Sequence, residues 1–126
     1  MRVVLLSDTH GFVEPYIQKL ARSADRVVHA GDVGGLEVIQ SLAPDQGELI
    51  VVRGNNDWPE TWPDAAQAGF SVLAESAEVD LPGGVLAVEH GHRIWATRHE
   101  QDRRIHPYHK RLRAKYPAAR ATAYGH

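Results

Sequence analysis

The stretch RVVLLSDTHG, residues 2–11, decides how the rest of the chain is read. Val3, Val4, Leu5 and Leu6 make an apolar run that is short and continuous rather than alternating. That pattern predicts a buried strand over residues 2–7. The run stops at Ser7, and Gly11 closes a turn that carries Asp8 and His10. Further along the chain, the same unit recurs. Pro15 opens a predicted helix to about Arg22, with Ile17, Leu20 and Ala21 as its apolar face. A strand over residues 27–30 leads to Asp32, flanked by Gly31, Gly34 and Gly35. A helix over 36–42 and a strand over 49–52 follow, the latter ending at Arg53-Gly54-Asn55-Asn56-Asp57. Strand, helix, strand, helix, strand predicts a parallel sheet with right-handed crossovers. Ends of neighbouring parallel strands converge on one crevice, so Asp8, His10, Asp32 and Asn55 are expected to meet there.

The second half changes character. Residues 58–69, with Pro59 and Pro63, read as a surface loop, and residues 70–73 as a short strand. Residues 75–81 and 85–90 read as a hairpin around Pro82-Gly83-Gly84. Residues 98–115 are polar and basic and read as a helix that Pro107 breaks or starts. Residues 121–124 form a last strand before Gly125-His126. Strand-rich sequence after helix-alternating sequence suggests a second sheet.

A length of 126 residues predicts one domain over residues 1–126. A hydrophobic share of 43% suits a globular chain, and a net charge of −2 gives no bulk electrostatic case for nucleic acid. With no cysteine, thiolate metal sites and disulfides are excluded. Any metal must be held by oxygen and nitrogen, which suits Mn, Fe, Ni, Zn, Co or Mg. The first apolar run is too short for a signal peptide or a membrane span, so a cytoplasmic location is expected.

Each polar group has two readings when taken alone. Asp8 and His10 are either turn residues or a carboxylate–imidazole pair able to chelate a divalent cation. Asp32 is either a turn aspartate or a carboxylate bridging two cations. Asn55 either adopts a left-handed turn or lends an uncharged carbonyl to a hard cation. His90-Gly91-His92 follows an apolar strand, where a histidine is either buried and satisfied or a ligand. His126 stands last, where a side chain is usually solvated. His99, His106 and His109 read as a solvated helix face. Trp58, Trp62 and Trp95 either stack on a nucleoside or cover apolar surface.

Taken together, Asp-x-His, Gly-Asp, Gly-Asn-x-Asp, His-Gly-His and a final Gly-His resemble the calcineurin-like metallophosphoesterase superfamily, and within it the small bacterial and archaeal phosphodiesterase branch. The resemblance implies an α/β fold, a sandwich of two sheets flanked by helices, with metals at strand ends. It implies two divalent cations, Mn first: one on Asp8, His10 and Asp32, the other on Asp32, Asn55, His90 and His126. It implies hydrolysis of a small phosphoester, most simply a phosphodiester, by a hydroxide bridging the cations. Asn55, Asn56 and His92 would stabilise the phosphoryl oxygens. The family's last motif, Gly-His-x-His, is followed by further strands, whereas this chain stops at His126. The expectation is therefore a C-terminally incomplete chain whose first metal lacks a ligand. Its unfinished sheet edge would favour self-association. A catalytically impaired binding or scaffold module of the same fold is the alternative. Asp57 is a further candidate, for orienting the histidines.

Overall fold

The computed structural model describes residues 1–63, 73–93 and 107–125. It has two three-stranded sheets. The first, in the order β1 (Val3–Leu6), β2 (Arg26–His29), β3 (Glu48–Val51), is parallel throughout, with Val4 opposite Val27 and Val28 opposite Ile50. Its crossovers are α1 (Pro15–Arg22), which has proline in its first turn, and α2 (Leu36–Leu42). The second sheet has β5 (Gly84–Glu89) at its centre. There β4 (Ser76–Leu81) pairs antiparallel and β6 (Ala121–Ala123) parallel. Helix α3 (Pro107–Lys115) starts at its proline, as the residue's fixed φ favours. Residues 70–72 of the strand expected over 70–73, and residues 98–106 of the helix expected over 98–115, lie outside the described residues, and Leu73 itself is not in a strand.

Period-two alternation along β2 and β5 assigns the layers. From β2, Val27 faces α1 and α2 in a core with Val13, Ala21, Val38, Leu42 and Trp62. Val28 and Ala30 face the second sheet and pack with Val52, Val79, Leu86, Val88 and Ala123. β2 is therefore covered on both faces. From β5, Leu86 and Val88 join that inter-sheet core. Glu89 points to the other side, where it accepts hydrogen bonds from Lys115 Nζ at 2.7 Å and from the Tyr116 hydroxyl at 2.7 Å. These contacts anchor the end of α3 to β5.

One expectation about burial is corrected. The unbroken run in β1 reads as a strand covered on both faces, but only Val4 and Leu6 pack against the helix-side core. Val3 and Leu5 remain 36% and 51% exposed. The physical reason is lateral offset: the second sheet lies over Val28, Ala30, Ile50 and Val52, and leaves the matching face of the edge strand open. A cleft of about 380 Å³ runs there between Leu5, Ser7 and Ala30 on one side and Thr122, Ala123 and Tyr124 on the other.

Candidate metal centre

The loops leaving β1, β2, β3 and β5 meet at one end of the sheets. They are sewn together by backbone bonds: Asp8 N–H donates to Gly31 O (2.9 Å), His10 N–H to Asp32 O (3.0 Å) and Gly11 N–H to Val33 O (2.9 Å). Three residues of this crevice are the only non-glycine residues at positive φ among those described: Asp8 (56°), His10 (47°) and Asp32 (56°). Left-handed backbone costs an L-residue roughly 1–2 kcal/mol, least for Asp, Asn and similar short polar side chains. Such strain persists where surrounding structure over-determines it, and it clusters at functional sites. These three residues also form a metal-competent group, with one donor atom from each lying within 4.8 Å of the others.

Asp32 is the hub. It is buried, and its Oδ2 stands 3.8 Å from His10 Nε2 and 3.6 Å from His90 Nε2. Asn56 grips the same carboxylate twice: its backbone N–H donates to Oδ1 (2.9 Å) and its side-chain Nδ2 to Oδ2 (2.7 Å). Burial opposes ionisation of Asp32. The two hydrogen bonds from Asn56, with His90 and His10 nearby, outweigh it and hold the carboxyl below its ordinary range. The close fit also fixes a neighbour. A Cβ at position 54 would lie 2.1 Å from Asp32 Oδ1 and 2.2 Å from Asp32 N, so only glycine lets the β3 loop approach.

His90 is fully buried and its tautomer follows from its partners. Nδ1 lies 2.7 Å from Ala30 O, which can only accept, so the ring proton sits on Nδ1. Nε2 then presents a lone pair to Asn55 Oδ1 at 3.0 Å and to Asp32 Oδ2 at 3.6 Å. Two acceptor oxygens thus stand near the Nε2 lone pair with no proton from this ring between them. A cation resolves that arrangement. Two donors on one divalent ion at roughly 2.0–2.2 Å each stand about 3.3–3.6 Å apart in tetrahedral geometry, close to the spacings found. The residues present therefore fit a metal.

The structure brings together Asp8, His10, Asp32, Asn55 and His90. His10 is at the mouth, its side chain 55% exposed. His92 is exposed at the rim, its ring 5.2 Å from that of His90. Asn56, expected to face a phosphoryl group, is turned inward onto Asp32, because a buried carboxylate requires donors and this amide is the nearest. His126 lies outside the described residues, as do His99, His106 and Trp95, while His109 is exposed on α3. Gly125, which precedes His126, is in the crevice: a Cβ there would lie 2.6 Å from Asp8 Oδ2 and 2.8 Å from His90 Nδ1.

Two buried groups gained their roles only from the structure. Among the described residues Asp57 is hydrogen-bonded to no histidine. Its carboxylate accepts from the backbone N–H groups of Val33 (2.9 Å), Gly34 (3.2 Å) and Gly54 (2.8 Å) and from Trp62 Nε1 (3.1 Å). His29 lies beneath the crevice in a closed chain. Gly31 N–H donates to its Nδ1 (3.1 Å), its Nε2–H donates to Thr9 Oγ1 (2.9 Å), and the Thr9 hydroxyl donates to Val33 O (2.9 Å). That chain needs a neutral ring. Burial, helped by His90 and His10 and opposed by Asp57 and Asp32, pushes the His29 pKa from 6.5 down to about 4.

The unfolded chain therefore takes up a proton below pH 6.5 that the folded chain refuses until about pH 4. Stability is complete above that window and falls as pH drops through it, by about 3 kcal/mol in total. Asp32, with a lowered pKa, loses its contribution only further into acid. In metal-free buffer, urea midpoints of the wild type should decline between pH 6.5 and 4. Those of His29→Gln should be nearly flat there. Parallel declines would assign the titration to other groups.

Comparison with known proteins agrees with the geometry. Residues 1–126 match the calcineurin-like phosphoesterase superfamily domain, and the chain belongs to that family. It is a family whose members bind divalent metals. No curated protein sequence matches significantly. Among solved structures, a single mutant of Vps29 from Entamoeba histolytica superposes with a TM-score of 0.70 at 16% identity, covering 100% of this chain and 64% of that one. Vps29 from the same organism complexed with Zn²⁺ gives 0.61 at 18% identity, with 100% and 64% covered. A predicted phosphoesterase from Streptococcus pneumoniae gives 0.59 at 20% identity, with 98% and 60% covered. These likenesses establish the two-sheet phosphoesterase fold. The chain spans less than two thirds of the length of each of these structures. No helix among the described residues is long and apolar enough to cross a membrane.

Proposed function

We propose that this chain hydrolyses small phosphodiesters at a two-cation centre organised by Asp32. The convergence of His90 Nε2, Asn55 Oδ1 and Asp32 Oδ2 carries this reading, since the ring's proton is turned away to Ala30. Asp8, His10 and Asp32 would hold one cation; Asp32, Asn55 and His90, joined by His126, would hold the other. Divalent cations bound there supply Lewis-acid activation of water and of the phosphoryl oxygens. Manganese is the proposed ion, among Fe, Ni, Zn, Co and Mg, which the same donors accept.

The chain's own residues do the rest. The Ala30 carbonyl fixes the ligating face of His90. Asn56 orients Asp32 with its backbone N–H and one side-chain N–H, which leaves the other side-chain N–H for a phosphoryl oxygen. His92 at the rim can donate to the same group. Neither Asn55 nor Asn56 can deliver a proton at neutral pH, and His92 is assigned to the phosphoryl oxygens rather than to the leaving group, so the leaving oxygen departs largely unprotonated. With Mn²⁺ added, the chain should hold two ions and cleave bis(p-nitrophenyl) phosphate. Across a series of aryl methyl phosphates, kcat should fall steeply as leaving-group pKa rises, and alkyl monoesters should be poor substrates. A flat dependence would show that some group protonates the leaving oxygen. The substrate class proposed is a small phosphoester rather than nucleic acid, the location cytoplasmic, and the exposed face of β1 suits association with a second copy.

A second reading, a binding or scaffold module of the same fold, is favoured by two observations. The structural neighbours include vacuolar protein sorting 29. Among the described residues the first cation has only Asp8, His10 and Asp32, and His10 is half exposed. One bound cation or none, with no turnover, is the result this reading expects.

A further inference from the structure

Trp58 stands one hydrogen bond from the proposed centre and has no part in holding a cation. Its indole Nε1 donates to the backbone carbonyl of Asn55 at 2.8 Å, while the Asn55 side chain faces His90. Its backbone N–H donates to Thr61 Oγ1 at 3.2 Å, and that hydroxyl donates to Asn56 O at 2.5 Å with Trp58 O 2.9 Å away, which locks the start of the short helical turn Pro59–Thr61. The Arg53 guanidinium lies 4.8 Å from the ring centroid and is itself tied to Glu75 Oε1 at 2.5 Å. The ring is thus fixed at its polar edge and on one face. Yet it remains 44% exposed, unlike Trp62, which is 3% exposed and packed in the helix-side core. A tryptophan serving only to fill space would be expected to bury its apolar surface. This one is rigid and open beside Asn55.

We propose that Trp58 is a stacking platform that makes this centre prefer phosphoesters carrying a planar ring, aryl or nucleoside, on the ester group nearest the Asn55 loop. A flat π surface held rigidly gains dispersion and stacking with a second ring at little entropic cost, and the cation on its other face draws electron density toward Arg53. Stacking of a base on an aromatic side chain is worth about 1–3 kcal/mol, or roughly 5- to 150-fold in affinity, and a single phenyl ring belongs at the lower end. The inference rests on the phosphoesterase reading, and it specifies a substrate feature that the cation ligands do not determine.

Phenylphosphonate and methylphosphonate test it, since they share a headgroup, are not hydrolysed and differ only in the ring. Titrated calorimetrically into the Mn²⁺-loaded chain, wild type should bind phenylphosphonate about tenfold more tightly. Trp58→Ala should reduce that ratio to about one. Trp58→Phe, which keeps a ring but loses the bond to Asn55 O, should retain most of it. The ratio of kcat/KM for bis(p-nitrophenyl) phosphate over methyl p-nitrophenyl phosphate, which share a leaving group, should move in parallel. Equal binding of the two phosphonates by wild type, or a preference that survives Trp58→Ala, overturns the platform and leaves the phosphoesterase reading standing. A preference lost equally in Trp58→Phe shows that the residue only props the Asn55 loop and overturns it too. If neither phosphonate binds and neither ester is cleaved, the phosphoesterase reading fails and the platform with it.

Discussion

Replacing Asp32 with asparagine is expected to abolish binding of both proposed cations while leaving the chain folded. Asp32 Oδ2 lies within 4 Å of both His10 Nε2 and His90 Nε2, at 3.8 Å and 3.6 Å. It also contributes the anionic charge that the second group, with a neutral imidazole and an amide carbonyl, otherwise lacks. Losing an outer-sphere partner of a ligand typically weakens metal binding 10–100-fold. Losing a shared inner donor and its charge should exceed that at both positions, by more than about a hundredfold. Asparagine keeps the shape and tolerates the left-handed backbone at φ 56°. Circular dichroism should therefore be unchanged. The thermal readout is direct: wild type should gain stability with added Mn²⁺ as RT ln(1 + [L]/Kd), and Asp32→Asn should not. Two ions retained after dialysis of the variant would remove Asp32 from the centre of the argument.

The sequence showed most of what places the crevice and little of what tunes it. Alternating strand and helix signals up to Asn55 located three of the loops that enter it, because parallel topology brings the ends of β1, β2 and β3 together whatever their side chains do. The hairpin of β4 and β5 was legible for the same local reason, through Pro82-Gly83 between two apolar runs. Coverage of a strand is a property of the neighbouring sheet. The run from Val3 to Leu6 therefore could not reveal that one of its faces stays open. The direction of Asn56 depends on a hydrogen bond to a residue twenty-four positions earlier, which no local pattern encodes. The left-handed backbone at Asp8, His10 and Asp32 was hidden too, since those residue types tolerate the conformation without requiring it. His29 offered one overlooked signal. A histidine inside an otherwise apolar strand, between Val28 and Ala30, has to be neutral or paired once buried.

Asp57 was readable as a loop aspartate, but its importance lies in what it holds, and Asp57→Ala should be the most destabilising single truncation near the site. The carboxylate is fully buried and accepts four N–H groups from three separated segments: Val33 and Gly34 after β2, Gly54 after β3, and the Trp62 indole. Hydrogen bonds to a charged acceptor contribute about 1.5–3 kcal/mol each, and a buried donor left unmade costs about 1–3 kcal/mol. Relaxation and entering water will satisfy some of these donors, so a net loss of about 3–5 kcal/mol is expected, as for other broken buried charged networks. Against a total stability of roughly 5–15 kcal/mol, that is a large fraction. Urea denaturation should show the midpoint falling with little change in m-value. The variant should also lose metal affinity before it unfolds, because Val33 and Gly34 immediately follow Asp32 and their amides set where its loop sits. Asp57→Asn, with one carbonyl to accept and an amide that opposes the same donors, should lie between alanine and wild type. A loss below about 1 kcal/mol for alanine would mean that water replaces the carboxylate fully. The four bonds would then be a consequence of the loop's path, with its cause elsewhere in the packing of Trp62 and Val33.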